Sequence, residues 1–351
     1  MQRCRSGLKH LVLIGVLGLA SMSQAYLISP FNSNAILFSG NANRDLAHKI
    51  AEHLRVPLGE ALVGTFNDGE VRIQVGTNVR NKDVFIVQPA CPTLDQSIND
   101  TIMELYLMIR TMVRASAGSI NVVIPYYGYA RQDRKLKSRV PISASDIAYL
   151  LEKAGATRVM TIDLHCGQIQ GFFQNIPVDN LCASIVFAPY VAAKSLSNVV
   201  VVSPDAGGVE RATEFLDDIV KRGMPARMAV ISKRREGAGV IGSMHLIGDV
   251  DGADAIIVDD LCDTGGTLVK AAELLKEHGA KRVFAVITHP VFSKNALDTI
   301  ANSVIDEIVI ADTIPLRGEA PANMTVISVA PLLAEAIFRI ELGESVSGLF
   351  K

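Results

Sequence analysis

Asp259, Asp260, Asp263, Thr264, Gly265, Gly266 and Thr267 crowd three carboxylates, two hydroxyls and two glycines into nine residues, directly after the apolar run Ala255–Val258. An apolar-periodic segment, Leu268 to His278, follows and stops at Gly279, so the stretch reads as buried strand, loop and helix. The glycines let the backbone turn its N–H groups inward. The helix start adds unpaired donors and a positive dipole end, and the threonines add hydroxyls, which together suit a phosphate monoester. Carboxylates repel phosphate, yet an ionised Asp is a pure acceptor and a sugar diol offers two donors. Phosphate cradle plus paired acceptors describes a site for a ribose 5-phosphate moiety. A capped helix after an acidic turn explains a lone Gly-Gly pair equally well, but not this density of acids, hydroxyls and glycines.

Five further segments carry chemistry. Ile120 to Ile124 reads as a strand that opens into Tyr126, Tyr127, Gly128 and Tyr129, then Arg131 and Gln132, with five basic residues between Arg131 and Arg139. A charge run is usually a solvated face. This one lies at the carboxyl end of an apolar strand, where open α/β sheets bind ligands, and it reads as a mobile basic flap for polyphosphate. Arg158 to Ile162 ends in Asp163-Leu164-His165; a lone His is usually structural, but this one follows an aspartate at a strand end beside the basic loop, which suits a metal or phosphate contact equally well. Asn198 to Val202 precedes Ser203-Pro204-Asp205-Ala206-Gly207-Gly208 and a helix, so Asp205 is a second phosphate or magnesium candidate. Met228 to Ile231 leads to Lys233, Arg234 and Arg235, three cations at a strand end that can neutralise charge on a transferred phosphoryl group. Phe66-Asn67-Asp68-Gly69-Glu70 lies between strand-like runs, and by itself is a hairpin turn.

The elements that must position these groups alternate between short apolar runs and helical periods. Expected helices cover Asp45 to Leu54, Leu94 to Ala115, Ser143 to Ala154 with a serine cap, Val209 to Lys221 and Leu332 to Ile340; expected strands include Ile36–Phe38, Asp83–Val87, Met244–Ile247, Arg282–Thr288, Glu307–Ala311 and Met324–Ser328. The order of strand, Gln88-Pro89, helix, flap and Asp163 recurs as strand, Ser203-Pro204, helix, Lys233 and Asp259, at offsets that shrink along the chain. A duplicated α/β unit follows. At 351 residues and 49% hydrophobic, the chain supports two cores.

A formal charge of −2 excludes a bulk electrostatic case for nucleic acid. Five scattered cysteines, with no CxxC or His-Cys cluster, suggest free thiols in a reducing compartment and no zinc. The amino terminus points the other way: Arg3, Arg5 and Lys9 precede the apolar run Leu11 to Ala20, too short to span a bilayer, and Ser23-Gln24-Ala25 offers a cleavage site. A flap for polyphosphate fits the cytosol, so residues 1–33 are expected to be a signal-like extension or a misassigned start, with true export as the second alternative.

Taken together, the motifs from Ile36 to Phe350 resemble those of the ribose-phosphate pyrophosphokinases, or phosphoribosyl pyrophosphate synthetases. The set is Phe66 to Glu70, Gly128 to Lys135, Thr161 to Phe173, Ser203 to Gly208, Ser232 to Arg235, Asp259 to Thr267 and the closing Gly343 to Phe350. The resemblance implies an α/β fold of two duplicated phosphoribosyltransferase-like domains, each a mainly parallel sheet flanked by helices, over 34–184 and 185–335. A terminal helix, 336–351, would pack back on the first domain. The implied reaction is magnesium-dependent transfer of the β,γ-pyrophosphoryl group of ATP to the C1 hydroxyl of ribose 5-phosphate, for nucleotide, histidine and tryptophan biosynthesis. By motif match, Phe66, Asp68, Glu70, Arg131, Gln132 and His165 would contact ATP, Phe66 to Glu70 reaching from a neighbouring subunit. His165 and Asp205 would support Mg2+, Lys233 and Arg235 would stabilise the transition state, and Asp259, Asp260, Asp263, Thr264, Gly265, Gly266 and Thr267 would bind ribose 5-phosphate. A cytoplasmic homohexamer is implied, with phosphate and ADP as effectors and neither nucleic acid nor membrane as partner. Ser232, Glu236 to Gly239 and an extra residue at Gln174-Asn175 depart from the family pattern and bear on regulation. A nucleobase phosphoribosyltransferase would need the sugar loop but neither the Phe66 turn nor the flap. A non-catalytic regulator would show erosion at the flap or Lys233, and both are intact.

Overall fold

Unbroken apolar strands buried on both faces need helices above and below them, and the chain supplies these by strand-helix-strand crossovers. The computed structural model describes residues 34–350 apart from 238 and 239; the side chains of residues 233–243, like the signal-like stretch 1–33, lie outside what is described.

The first half runs β1 (Ala35–Ser39), α1 (Arg44–Leu54), a hairpin of β2 (Ala61–Thr65) and β3 (Val71–Val75), then β4 (Asp83–Val87), α2 (Ile98–Arg114), β5 (Ser119–Ile124), α3 (Ser143–Ala154), β6 (Arg158–Ile162) and β7 (Val178–Leu181). Strand order is β1-β4-β5-β6-β7, and every pairing is parallel. Local chemistry sets the helix starts. Ser97 and Asp100 form a reciprocal capping box, so α2 begins at Ile98 and not at Leu94. Asn43 caps α1 through Leu46 N at 3.2 Å. Ser143 does not cap α3: Ile142 holds that position, and the Ser143 hydroxyl turns to Gln132. Helix α2 lays Ile102, Leu105, Met108, Ile109 and Met112 on the sheet, each buried side chain contributing about 1.5–3 kcal/mol.

The second half follows α4 (Ser184–Ala192): β8 (Val199–Ser203), α5 (Val209–Lys221), β9 (Ala226–Gly237), β10 (Val240–Ile247), β11 (Asp254–Cys262), α6 (Gly266–Glu277), β12 (Arg282–Pro290), α7 (Ala296–Ala301), β13 (Glu307–Ala311), β14 (Met324–Ile327) and α8 (Ala330–Leu342). Its sheet order is β10-β9-β8-β11-β12-β13-β14, with β11 central and only β10 antiparallel. Lys233 and Arg235 do not sit at a strand end. Strand β9 continues through them, their backbones paired with Met244 and Ile241 across a long hairpin.

Helix α8 packs along α1. Asp312 joins the two halves there: its carbonyl accepts from Asn43 Nδ2 at 2.8 Å and its carboxylate meets Lys49 Nζ at 2.8 Å.

At the base of β11, Asp254 is wholly buried and accepts from Ser197 N at 2.7 Å and from Arg282 Nε and Nη2 at 2.8 and 2.6 Å. The Arg282 hydrogen bonds hold its carboxyl below the usual range. A carboxyl lower in the folded than in the unfolded chain stabilises above the unfolded value, about 4, and loses that contribution as pH falls through the folded value. Asp254→Asn is expected to lower unfolding free energy by about 2–4 kcal/mol at pH 7. Denaturant unfolding at pH 7 and pH 3 checks it: the deficit should shrink at pH 3, and an equal deficit at both removes the ion pair from the account.

Candidate active site

The apolar run of β11 does not stop at the carboxylates. Strand β12 continues beside it to Pro290, so Asp259 pairs with Ile287, Leu261 with His289 and Cys262 with Pro290, and both aspartates lie within the strand. Beyond it, Phe292 N and Ser293 N donate to the carbonyls of Cys262 and Asp263 at 3.1 and 3.0 Å, pinning the loop. Gly265 takes φ 79°, a conformation that suits glycine, and α6 starts at Gly266 without a side-chain cap. Thr264, Gly265, Gly266 and Thr267 thus surround a helix start whose first amides face outward, the geometry of an anion cradle.

Asp260 is 3% exposed and is gripped on both oxygens. Arg211 Nη1 donates to Oδ1 at 3.1 Å and His165 Nδ1 to Oδ2 at 2.7 Å. Against burial, which would raise it, the His165 hydrogen bond and the Arg211 charge hold the Asp260 carboxyl well below its usual range. The same bond raises the His165 imidazole. Asp259 behaves oppositely: burial, then the neighbouring Asp260 charge, push its carboxyl up, and Arg211 stands further off, at 3.9 Å. Since Nδ1 of His165 is committed to a carboxylate, Nε2 is the ring atom left for a ligand.

The first half brings its flap to this loop. Arg131 Nη1 lies 2.9 Å from Asp263 Oδ2, and Ser293 Oγ holds the other Asp263 oxygen. Burial would raise the Asp263 carboxyl, but these two hydrogen bonds leave it lowered. Gln132 is fixed by its backbone, donating to Tyr129 O at 3.0 Å and accepting from Ala144 N at 3.2 Å. Residues 134–139 are exposed throughout. Basic flap, histidine and sugar loop therefore converge on one cleft between the halves.

Other expected site residues stand apart from it. Phe66, Asp68 and Glu70 form the tip of the β2–β3 hairpin, closed by Phe66 N to Glu70 O at 2.7 Å and Glu70 N to Asp68 Oδ1 at 3.1 Å. Phe66 is 51% exposed with the Arg72 guanidinium 5.6 Å above its ring, and among the described residues no hydrogen bond, ion pair or ring contact joins it to the cleft. Asp205 does not leave the glycine amides open for phosphate: its own Oδ1 accepts from Gly207 N and Gly208 N at 3.0 and 3.1 Å, which counts against a second phosphate cradle there. Lys233 and Arg235 are placed by backbone alone, on the strand next to β8.

The seam between the halves holds residues that sequence reasoning missed. Asp163, at φ 40°, accepts from Thr288 Oγ1 at 2.6 Å and Ala183 N at 3.2 Å. His289 is buried, and burial pushes its imidazole down; beneath Tyr126, Nε2 donates to Ile162 O at 3.0 Å, and Nδ1 lies 3.0 Å from Thr313 Oγ1, whose hydroxyl donates to Thr288 O at 2.8 Å. Arg211 was missed as well, although a signal existed. A cation in the first turn of a helix opposes the helix dipole, so Arg211 in α5 needs another reason to be there.

The comparisons with known proteins agree with one another. Residues 35–155 match the family model described as the N-terminal domain of ribose phosphate pyrophosphokinase, and residues 238–351 match the phosphoribosyl synthetase-associated domain. A ribose-phosphate pyrophosphokinase of Wolinella succinogenes is 53% identical over 315 residues, covering 90% of this chain and 98% of the relative. One from Shewanella oneidensis is 53% identical over 321 residues with the same coverage. The crystal structure of phosphoribosylpyrophosphate synthetase from Mycobacterium smegmatis superposes with a TM-score of 0.81 at 37% identity, over 88% of this chain and 99% of that one. With relatives so similar over almost their whole length, and with the sugar loop and basic flap meeting as described, the chain belongs to the ribose-phosphate pyrophosphokinase family.

Proposed function

We propose that this protein transfers the β,γ-pyrophosphoryl group of ATP to the C1 hydroxyl of ribose 5-phosphate, giving 5-phosphoribosyl 1-pyrophosphate and AMP. The observation that carries this reading is the 2.9 Å contact of Arg131 with Asp263, which brings the polyphosphate flap within one side chain of the sugar loop. The C1 oxygen attacks the β-phosphorus, the bond from that phosphorus to the α,β-bridging oxygen breaks, AMP leaves with that oxygen, and the hydroxyl proton is released. The cradle of Thr264, Gly265, Gly266 and Thr267 holds the 5-phosphate, and Asp263 orients the loop. Asp259, whose side chain is 25% exposed, presents its carboxyl oxygens to the ribose hydroxyls. Arg131, Gln132 and Nε2 of His165 receive the triphosphate, while Lys233 and Arg235 stabilise the charge that develops on it.

Magnesium suits the residues present. It favours oxygen, keeps several waters and binds through one or two carboxylates plus substrate phosphates, so it needs no three-ligand protein cage. Among the described residues no such cage of His, Cys, Asp and Glu exists, and Asp205 offers a carboxylate oriented by two amides. Nε2 of His165 would serve the ion when it carries no proton and the triphosphate when it does, one at a time. When bound, the ion supplies charge neutralisation on the transferred phosphates.

The exposed Phe66 tip fits the family arrangement in which Phe66, Asp68 and Glu70 complete the ATP site of a neighbouring subunit in a homohexamer, with phosphate and ADP as effectors. Residues 34–184 and 185–335 are taken as the two domains; the helix that returns to the first is α8, which begins at Ala330 and ends at Leu342, not a helix over 336–351. Cytosolic residence fits a user of ATP, and among the described residues no helix is long and apolar enough to cross a membrane.

The test is nucleotide product analysis after mixing the protein with ATP, magnesium and ribose 5-phosphate. AMP formed only with the sugar phosphate present is the expected result. ADP in its place means ordinary kinase chemistry and overturns the proposal.

A further inference from the structure

Neighbouring residues of a strand point to opposite faces of a sheet, and Asp259 and Asp260 are neighbours within β11. Arg211 Nη1 stands near both carboxylates, 3.1 Å from Asp260 and 3.9 Å from Asp259, yet it holds the two unequally. Their surroundings differ accordingly: the Asp259 side chain is 25% exposed, whereas that of Asp260 is 4% exposed and has both oxygens taken, by Arg211 at 3.1 Å and His165 at 2.7 Å. Arg211 completes a loop of contacts. Its Nη2 lies 3.4 Å from the carbonyl of Leu164, the residue before His165, while its Nη1 holds Asp260, which in turn holds the His165 ring. Leu164 and His165 come from the first half, whereas Arg211 and Asp260 come from the second. Arg211 also occupies the first turn of α5, where the helix dipole opposes its charge, so the helix gains nothing from it there.

We propose that the two aspartates divide the work: Asp259 meets the ribose, while Asp260 is an internal anchor, and Arg211 is a positioning residue that, through Asp260 and the Leu164 carbonyl, sets His165 against the sugar loop. The proposal rests on the synthetase reading and assigns Asp260 and Arg211 a task distinct from substrate contact. Catalysis depends on sub-ångström placement of the triphosphate side against the sugar side, so loosening this tie lowers turnover more than it lowers affinity for either substrate.

The experiment measures equilibrium binding of ribose 5-phosphate, AMP formation and thermal midpoint for the full chain and for Asp260→Asn, Arg211→Met, Arg211→Lys and the double variant Arg211→Met/Asp260→Asn. The expected result is ribose 5-phosphate affinity within about 3-fold of the parent, with kcat down about 30-fold or more in Asp260→Asn and Arg211→Met. Arg211→Lys recovers part of the loss because an ammonium reaches Asp260 but cannot also hold Leu164. The double variant is no worse than either single one, since both break the same tie. It leaves neither member of the Arg211–Asp260 pair without the other, so it reports even if Arg211→Met fails to fold. Asp260→Asn weakening ribose 5-phosphate binding by 100-fold overturns the division of labour, because Asp260 is then a sugar ligand. Parental kcat in a folded double variant overturns the positioning role and leaves only a stabilising pair. A parent chain that binds ribose 5-phosphate yet makes no AMP overturns the synthetase reading itself, a result separate from both.

Discussion

Lys233→Ala is expected to leave ribose 5-phosphate binding largely intact and to lower turnover by about two to four orders of magnitude, the loss typical of removing charge stabilisation made only in the transition state. Lys233 lies in the part of β9 that runs on beyond the β8 pairing, which ends at Val230, and its backbone is held by Met244 of β10. The substitution therefore leaves the sugar loop on β11 and α6 in place, and the deficit appears in kcat. Ribose 5-phosphate titration and steady-state AMP formation on the same preparation separate the two effects. Unchanged turnover removes Lys233 from the mechanism, and lost binding with normal turnover of bound substrate moves it to the sugar site.

Asp259→Ala is expected to lower kcat/KM for ribose 5-phosphate by about 10²–10³ while KM for ATP moves by less than about 3-fold. The variant strips the acceptor that the ribose hydroxyls replace their water with, and a sugar hydroxyl desolvated without a partner loses roughly 1–3 kcal/mol for each missing bond. Stability should fall little or rise. Burial and the Asp260 charge already push the Asp259 carboxyl up, so its ionised form is held at a cost in the empty protein. Varying each substrate in turn at saturating levels of the other, with a thermal midpoint alongside, checks both halves of the expectation. An equal loss for both substrates means that Asp259 shapes the whole cleft, not the sugar side alone.

Much of the architecture was legible because parallel strands advertise themselves. Ala255 to Val258 and Val199 to Val202 are apolar runs with no alternation, which only a sheet covered on both faces explains. The strand, loop and helix form of Asp259 to Thr267 was legible as well, from the density of acids, hydroxyls and glycines after an apolar run, and Gly265 does occupy the left-handed region. The internal order of the chain was harder. Strand β9 runs through its three cations to Gly237 because β10 pairs beside it, a long-range partner that the composition of Ser232 to Arg235 does not reveal. Asp205 looked like an opener of a phosphate cradle, but an aspartate two and three residues before glycine amides satisfies them itself. Arg211 and His289 escaped because each reads as an ordinary residue of its own element. Their importance comes from Leu164, Asp260 and Ile162, which lie 47, 49 and 127 residues away in the chain.

The seam also bears on descent. In it the first half offers the Ile162 carbonyl and the Asp163 carboxylate, and the second half offers the Thr288 hydroxyl and the His289 ring, so acceptors sit on one side and donors on the other. The two halves meet there as unlike poles. Because Asp163 takes the Thr288 proton directly, at 2.6 Å, a change of either residue leaves the other without its partner. Changes at Asp163 and at Thr288 should accordingly be inherited in pairs, and a chimera that swaps one half between distant members of this lineage should work only when it carries both sides of the seam.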